Sequence, residues 1–213
     1  MKQFYLHGLG QTPSSWDETL SYLKPEGEVF CPNFADLIHK NGAAYESLYS
    51  GFSSICQRET APFDLCGLSL GGVLALHYAA EHIENVHSLV LIAAPYTMPK
   101  RLLQFQNFLF RLMPNAAFAQ MGLAKNEVIQ LCKTMAELDF RPVLYKISCP
   151  VLVICGEKDK ANRKAAESLA SAVKHAELVI LNNAGHEVTT EVPKPLAEVL
   201  RAFYQKVHPM SQL

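Results

Sequence analysis

The stretch Asp64-Leu65-Cys66-Gly67-Leu68-Ser69-Leu70-Gly71-Gly72 restricts the possible folds of this chain more than any other. Phe63 to Cys66 is a short apolar run suited to a buried strand, and Val73 to Ala80 continues in helix formers. Gly71, Ala75 and Ala79 recur at four-residue spacing, a small-residue stripe that lets a helix lie close against a sheet. Between strand and helix stands Gly67-x-Ser69-x-Gly71. A serine there occupies the apex of a sharp strand-to-helix turn, and side chains at the flanking glycines would strike the neighbouring strand and helix. Three fixed positions of common residues match by chance in roughly one chain of fifteen, so the context carries the weight. A nucleophilic serine at such a turn should be followed along the chain by an acid and then a histidine.

The 213 residues are read as one domain with room for a real core. A hydrophobic content of 49% against 18% charged residues excludes a disordered chain. The formal net charge of -1 gives no reason to expect nucleic acid or an anionic membrane as partner. No apolar run approaches the length of a bilayer span, and the stretch Met1 to Gly8 is too short for a signal peptide, so the expected setting is the cytoplasm. Cys31, Cys56, Cys66, Cys132, Cys149 and Cys155 include no Cys-x-x-Cys pair and read as free thiols, mostly buried. No cofactor and no metal is expected.

Taken in order, apolar runs at Phe4–His7, Glu28–Pro32, Phe63–Cys66, Leu89–Ala94, Val151–Cys155 and Leu178–Leu181 predict six strands. Helical periodicity separates them: Trp16, Leu20 and Leu23; Tyr45, Leu48, Phe52 and Cys56; Ala166, Leu169 and Val173; and a last helix opening at Pro195. The alternation predicts an α/β fold, a mostly parallel sheet of about six strands with helices on both faces. Residues 96–146 interrupt it with two helical patterns, Pro99 to Met113 and Asn126 to Leu138. The first leaves little polar surface and must be covered from more than one direction. The expected organisation is a core of residues 1–95 and 147–213, with 96–146 inserted as a small helical cap.

Loops at the carboxyl edge of a parallel sheet converge, and catalytic groups gather there. After Val151–Cys155 comes Gly156-Glu157-Lys158-Asp159, and after Leu178–Leu181 comes Asn182-Asn183-Ala184-Gly185-His186. A serine hydroxyl needs a base to take its proton, and the base needs a third group to hold its tautomer. Ser69, His186 and Asp159 fill those roles in the required order. Glu157 is the rival acid, two residues earlier. Among the other histidines, at 7, 39, 77, 82, 87, 175 and 208, none follows a buried strand as His186 does except His7, whose expected role is a hydrogen-bonding strut beneath its loop.

The segments His7-Gly8-Leu9-Gly10, Gly67-Leu68-Ser69-Leu70-Gly71-Gly72, Gly156-Glu157-Lys158-Asp159 and Gly185-His186 together resemble the α/β-hydrolase superfamily over nearly the whole chain. The resemblance implies that fold without its N-terminal hairpin, and an oxyanion hole from the backbone N–H groups of Leu9 and Leu70. Ser69 departs from the aspartate nucleophile of the dehalogenases and epoxide hydrolases. Val73, Glu187 and Leu70 stand where several other branches carry arginine or tryptophan. What remains is a small carboxylesterase or thioesterase-like acyl hydrolase acting on a small-molecule acyl substrate. A lyase or cofactor-free haloperoxidase-like enzyme on the same scaffold, or a ligand-binding module with an idle triad, are the alternatives. Tyr96, Met98, Phe105, Phe108, Leu109, Leu112 and Met113 are the candidates to roof a cleft over Ser69, the competing reading being that they pack the cap onto the body.

Overall fold

The structure, a computed structural model, describes residues 1–98, 110–119 and 121–208. Strands β1 (Gln3–Leu6), β2 (Val29–Phe30), β3 (Phe63–Leu68), β4 (Val86–Ile92), β5 (Val151–Gly156) and β6 (Ala176–Leu181) form one sheet in the order β2-β1-β3-β4-β5-β6. Every neighbouring pair is parallel. Helices α1 (Asp17–Leu23), α2 (Phe34–Asn41), α3 (Tyr45–Cys56) and α4 (Leu70–Glu81) lie between the first four strands, the helix Lys160–Ala172 between β5 and β6, and the helix Pro193–Val207 last.

Alternation along the strands fills two separate cores. Phe4, Leu6, Leu65, Leu89, Leu91 and Val153 pack with α2, α3 and α4, while Tyr5, Cys66, Val90, Ile92 and Ile154 pack with Trp16, Leu23 and the last helix. Both faces of the strands are therefore apolar, which is why they read as unbroken hydrophobic runs. Helix α4 is buried nearly all round, from Leu70 to Leu76 and again at Tyr78, Ala79 and Ala80. Each fully buried leucine there, such as Leu74, contributes roughly 1.5–3 kcal/mol. The small-residue stripe seats this helix against β1. A methyl group added at Gly71 would collide with the Leu6 carbonyl, so Gly71→Ala should push α4 off the sheet.

One difference from the sequence expectations matters. Helix α2 was not foreseen; Asn33 caps it by accepting from the Ala35 N–H at 3.1 Å. His87 lies within β4. The segment between β4 and β5 holds the helices Ala116–Ala119 and Lys125–Met135. Val128, Leu131, Cys132 and Met135 turn inward to join the core, and the Tyr45 N–H at the start of α3 donates to Thr134 Oγ1 at 2.9 Å. Its neck is a short antiparallel contact, Thr97 opposite Asp139, with Phe140 N–H donating to the Tyr96 carbonyl at 2.9 Å. All six cysteines are free, five of them buried.

Candidate active site

Strand β3 ends at Leu68, and Ser69 turns the chain into α4 with φ 53° and ψ −114°. Side chains rarely adopt that backbone region, which costs of order 1–3 kcal/mol and persists only where the surroundings impose it. Here they do. The Ser69 N–H is held by the Ile92 carbonyl at 2.8 Å, and the Ser69 carbonyl accepts from Val73 N–H at 3.0 Å. A methyl group at Gly67 would collide with the Gly71 carbonyl, so the tight turn demands glycine. Leu70 opens α4, and a first-turn N–H has no carbonyl within its own helix to bond.

The loop after β1 lies beside the serine, since a methyl group on Gly8 would sit 3.6 Å from Ser69 Cβ. His7 supports that loop. Its Nε2 accepts from the Phe34 N–H at 3.2 Å, which assigns the proton to Nδ1, and Nδ1 donates to the Gly8 carbonyl at 2.9 Å. Burial holds the imidazole below its ordinary pKa, with the Gly8 contact opposing, so the ring is a neutral strut, as the sequence suggested. Gln11 Oε1 accepts from the Gly8 N–H at 2.9 Å and fixes the other side. Leu9 and Leu70 line one narrow crevice of ≈ 10 Å³, about the volume of a single water. Its walls include Phe34, Ala35 and Ile38 of α2, together with Met121 and Leu123.

Strands β5 and β6 carry the other two groups to the same edge. A methyl group at Gly156 would collide with the carbonyls of Gly185 and Ala184, so the two strand-end loops touch directly. Lys158 N–H donates to the Ala184 carbonyl at 2.8 Å and locks them together. His186 Nδ1 then meets Asp159 Oδ2 at 2.7 Å. Asp159 is 7% exposed and caps the helix Lys160–Ala172. Asn162 Nδ2 donates to both its oxygens, at 2.9 and 2.8 Å, and lies 3.3 Å from His186 Nδ1. Burial pushes the Asp159 carboxyl up, but the hydrogen bonds from His186 and Asn162 outweigh it and hold the group below the usual carboxylate range. His186 is raised above its ordinary pKa, first by the hydrogen bond to Asp159, against burial, and further by the charges of Asp159, Glu187 and Glu191. Glu157, the rival acid, instead accepts from the Asn183 N–H at 2.9 Å.

Sequence reasoning passed over three contributors. Asn162 braces the acid. Glu191 grips the histidine loop, its two oxygens accepting from Gly185 N–H at 2.6 Å and Glu187 N–H at 3.0 Å. Helix α2 walls the crevice. Of the proposed roof, Met98 is buried and Tyr96 partly so, while Leu112 and Met113 are 70% and 37% exposed. Phe105, Phe108 and Leu109 lie outside the described residues. A serine at a strained apex and a histidine held by a carboxylate at the same sheet edge are kinds of group that covalent acyl transfer uses.

Residues 4–199 match the model of the alpha/beta hydrolase family. The chain belongs to that family. It is similar to human monoacylglycerol lipase ABHD6, 24% identical over 255 residues that cover 95% of this chain and 75% of that protein. It is also similar to a pimeloyl-[acyl-carrier protein] methyl ester esterase of Neisseria meningitidis serogroup B / serotype 15 (strain H44/76), 26% identical over 245 residues covering 96% and 93% of the two chains. Among solved structures, a thermophilic esterase from Thermogutta terrifontis superposes with a TM-score of 0.74 at 20% identity, covering 98% of this chain and 90% of that one, which supports the fold. The protein is a hydrolase of the alpha/beta-hydrolase type. Among the described residues, no helix of this hydrolase is long and apolar enough to cross a membrane.

Proposed function

We propose that this hydrolase cleaves carboxylic esters or related acyl substrates through an acyl-enzyme on Ser69. His186 takes the Ser69 proton as Oγ attacks the acyl carbon, and passes it to the departing alkoxide or thiolate. Water then attacks the acyl-enzyme, again giving a proton to His186, which returns it to Ser69 as the acid leaves. Asp159 holds the imidazole's tautomer and stabilises the imidazolium. The N–H groups of Leu9 and Leu70 receive the negative oxygen of each tetrahedral intermediate, where removing one donor typically costs 10²–10³-fold in turnover, roughly 3–4 kcal/mol. The observation that carries the reading is the 2.7 Å His186–Asp159 contact at the sheet edge where Ser69 sits with φ 53°.

The relatives support the bond type, since both are named for cleaving esters. Phe34, Ile38, Met121 and Leu123 set apolar surface beside Leu9 and Leu70, which supports an uncharged acyl group. Six free thiols support a reducing, cytoplasmic setting. The deciding experiment pairs a fluorophosphonate probe with a panel of short esters, thioesters and lactones. Ser69 should be labelled, located by peptide mass spectrometry, and ester cleavage should vanish with labelling. Purified protein that neither labels nor hydrolyses any member of the panel would sink the proposal.

A further inference from the structure

At the opposite, amino edge of the sheet, three chemically matched side chains from distant parts of the chain converge. Asp64 is the second residue of β3, His87 lies in β4, and His208 follows the last helix. The Asp64 carboxylate is fully buried. Its Oδ2 accepts from His208 Nε2 at 2.8 Å and from Gln3 Nε2 at 3.2 Å, and its Oδ1 accepts from Ser88 Oγ at 2.6 Å. His87 Nδ1 stands 3.4 Å from Oδ1 and is itself buried without a hydrogen bond. The strand register explains how His87 arrives there. Phe63 pairs with Val86 but Asp64 with Ser88, so His87 is an extra residue in a bulge, a device that re-aims a side chain.

We propose that Asp64, His87 and His208 form a binding site for a divalent transition cation of the zinc class. Two imidazole nitrogens and one carboxylate oxygen, all within 4.8 Å of one another, make a donor set suited to zinc, cobalt or nickel and not to magnesium or calcium. Ligands about 2.0–2.1 Å from a tetrahedral ion lie roughly 3.3 Å apart; His87 Nδ1 stands 3.4 Å from Oδ1 and His208 Nε2 2.8 Å from Oδ2, so one ring must shift toward the oxygen that binds the ion. The two rings stack with centroids 4.4 Å apart and planes 14° apart, so binding requires them to rock until both nitrogens face one ion. Ser88 and Gln3 orient the carboxylate from behind, as outer-shell partners of metal ligands do. An entry path exists, because Gln3 and His208 line a cleft of ≈ 540 Å³ open at this end of the molecule. The ion offers His87 the partner it lacks and ties the end of the last helix to β3 and β4.

The test is zinc chloride alone, titrated into chelator-stripped, desalted full-length protein and followed by calorimetry, with cobalt(II) absorption reporting the coordination. One equivalent should bind, and saturating zinc should raise the melting temperature by roughly 5 °C or more. His87→Ala and His208→Ala should each weaken binding at least tenfold, and the double variant should bind none while still hydrolysing ester. His186→Ala, which removes the other carboxylate–histidine pair, should keep the full equivalent. On the wild type itself, zinc should protect His87 and His208 from diethylpyrocarbonate, read by mass spectrometry. That footprint keeps the test decisive if the double variant does not fold. No binding by the wild type, retention of the equivalent by a folded double variant, or zinc binding without protection of these two histidines overturns the proposal.

Discussion

Both edges of this sheet hold a histidine, a carboxylate and a serine, and the two sets are built differently. The histidine–carboxylate contact is nearly the same, 2.7 Å for His186–Asp159 at the carboxyl edge and 2.8 Å for His208–Asp64 at the amino edge. Distance between those two groups therefore says little about chemistry. The serines differ more. Ser88 lies within a strand, is fully buried and already gives its hydroxyl to Asp64. Ser69 sits beyond a strand end in a strained conformation, beside the loop that carries Leu9. The histidines are also turned differently. His186 meets its acid through Nδ1, whereas His208 meets its acid through Nε2 and is stacked on a second imidazole. Backbone strain and convergence of loops, not residue identity, separate Ser69, the proposed nucleophile, from the structural hydroxyl of Ser88.

Exchanging the serines gives the largest contrast. Ser69→Ala should cut ester hydrolysis on the order of 10⁴- to 10⁶-fold and leave the melting temperature close to that of the wild type. Ser88→Ala should do the reverse, holding kcat/KM within about twofold while costing about 1–3 kcal/mol of stability from the lost buried hydrogen bond. Denaturant melts and purified-enzyme kinetics on both variants check this. Ser69→Ala retaining more than a few per cent of activity would end the assignment. The acids make the second contrast. Asp159→Asn should lower kcat on the order of 10³- to 10⁴-fold with little change in KM, while Glu157→Gln should stay within about threefold, since its Oε2 serves the Asn183 N–H.

The brace on the acid should matter less. Asn162 donates to both oxygens of Asp159, and hydrogen bonds to a carboxylate are worth about 1.5–3 kcal/mol. Asn162→Ala should therefore reduce kcat by roughly ten- to a hundredfold through a less well-held His186. Asn162→Asp, which sets a second carboxylate against Asp159, should be no better. Full activity in the alanine variant would show that His186 alone orients its acid.

The carboxyl edge was largely legible in the sequence because its signals are local. The elbow glycines, the apolar strand before each functional residue and the order Ser69, Asp159, His186 all lie within short segments, and strand direction does the rest. Asn162 and Glu191 were not legible, because their contacts rest on which way a helix or loop returns toward Asp159 and His186. Helix α2 could have been found. Asn33 at its start, Phe34 and Ile38 four apart, and Gly42 at its end with φ 103° form an ordinary cap-to-cap pattern, but the segment is short and follows Pro32. The amino-edge trio was invisible for a different reason. Asp64 and His208 are 144 residues apart, and His87 reaches them only through a register skip that no periodicity reports.

The smallest expected effect concerns charge at the histidine loop. In the proposed mechanism His186 must be neutral to accept the Ser69 proton, so hydrolysis should rise with pH through the ionisation of His186, which lies above the ordinary histidine value of about 6.5 because the hydrogen bond to Asp159 favours the imidazolium. Glu191 adds to that elevation while its oxygens hold the N–H groups of Gly185 and Glu187. Glu191→Gln removes the charge and keeps the size, but its single amide oxygen can accept from only one of the two N–H groups. Its pH profile of kcat/KM should move to lower pH, with a modest fall of the alkaline plateau from the lost loop contact. A fallen plateau with an unmoved midpoint would mean that Glu191 acts by holding the loop and not by its charge. No such displacement should follow from His208→Ala, which changes the carboxylate–histidine pair at the far edge of the sheet. If the far-edge variant moves the profile as much as Glu191→Gln does, the two edges are coupled and the contrast between them fails.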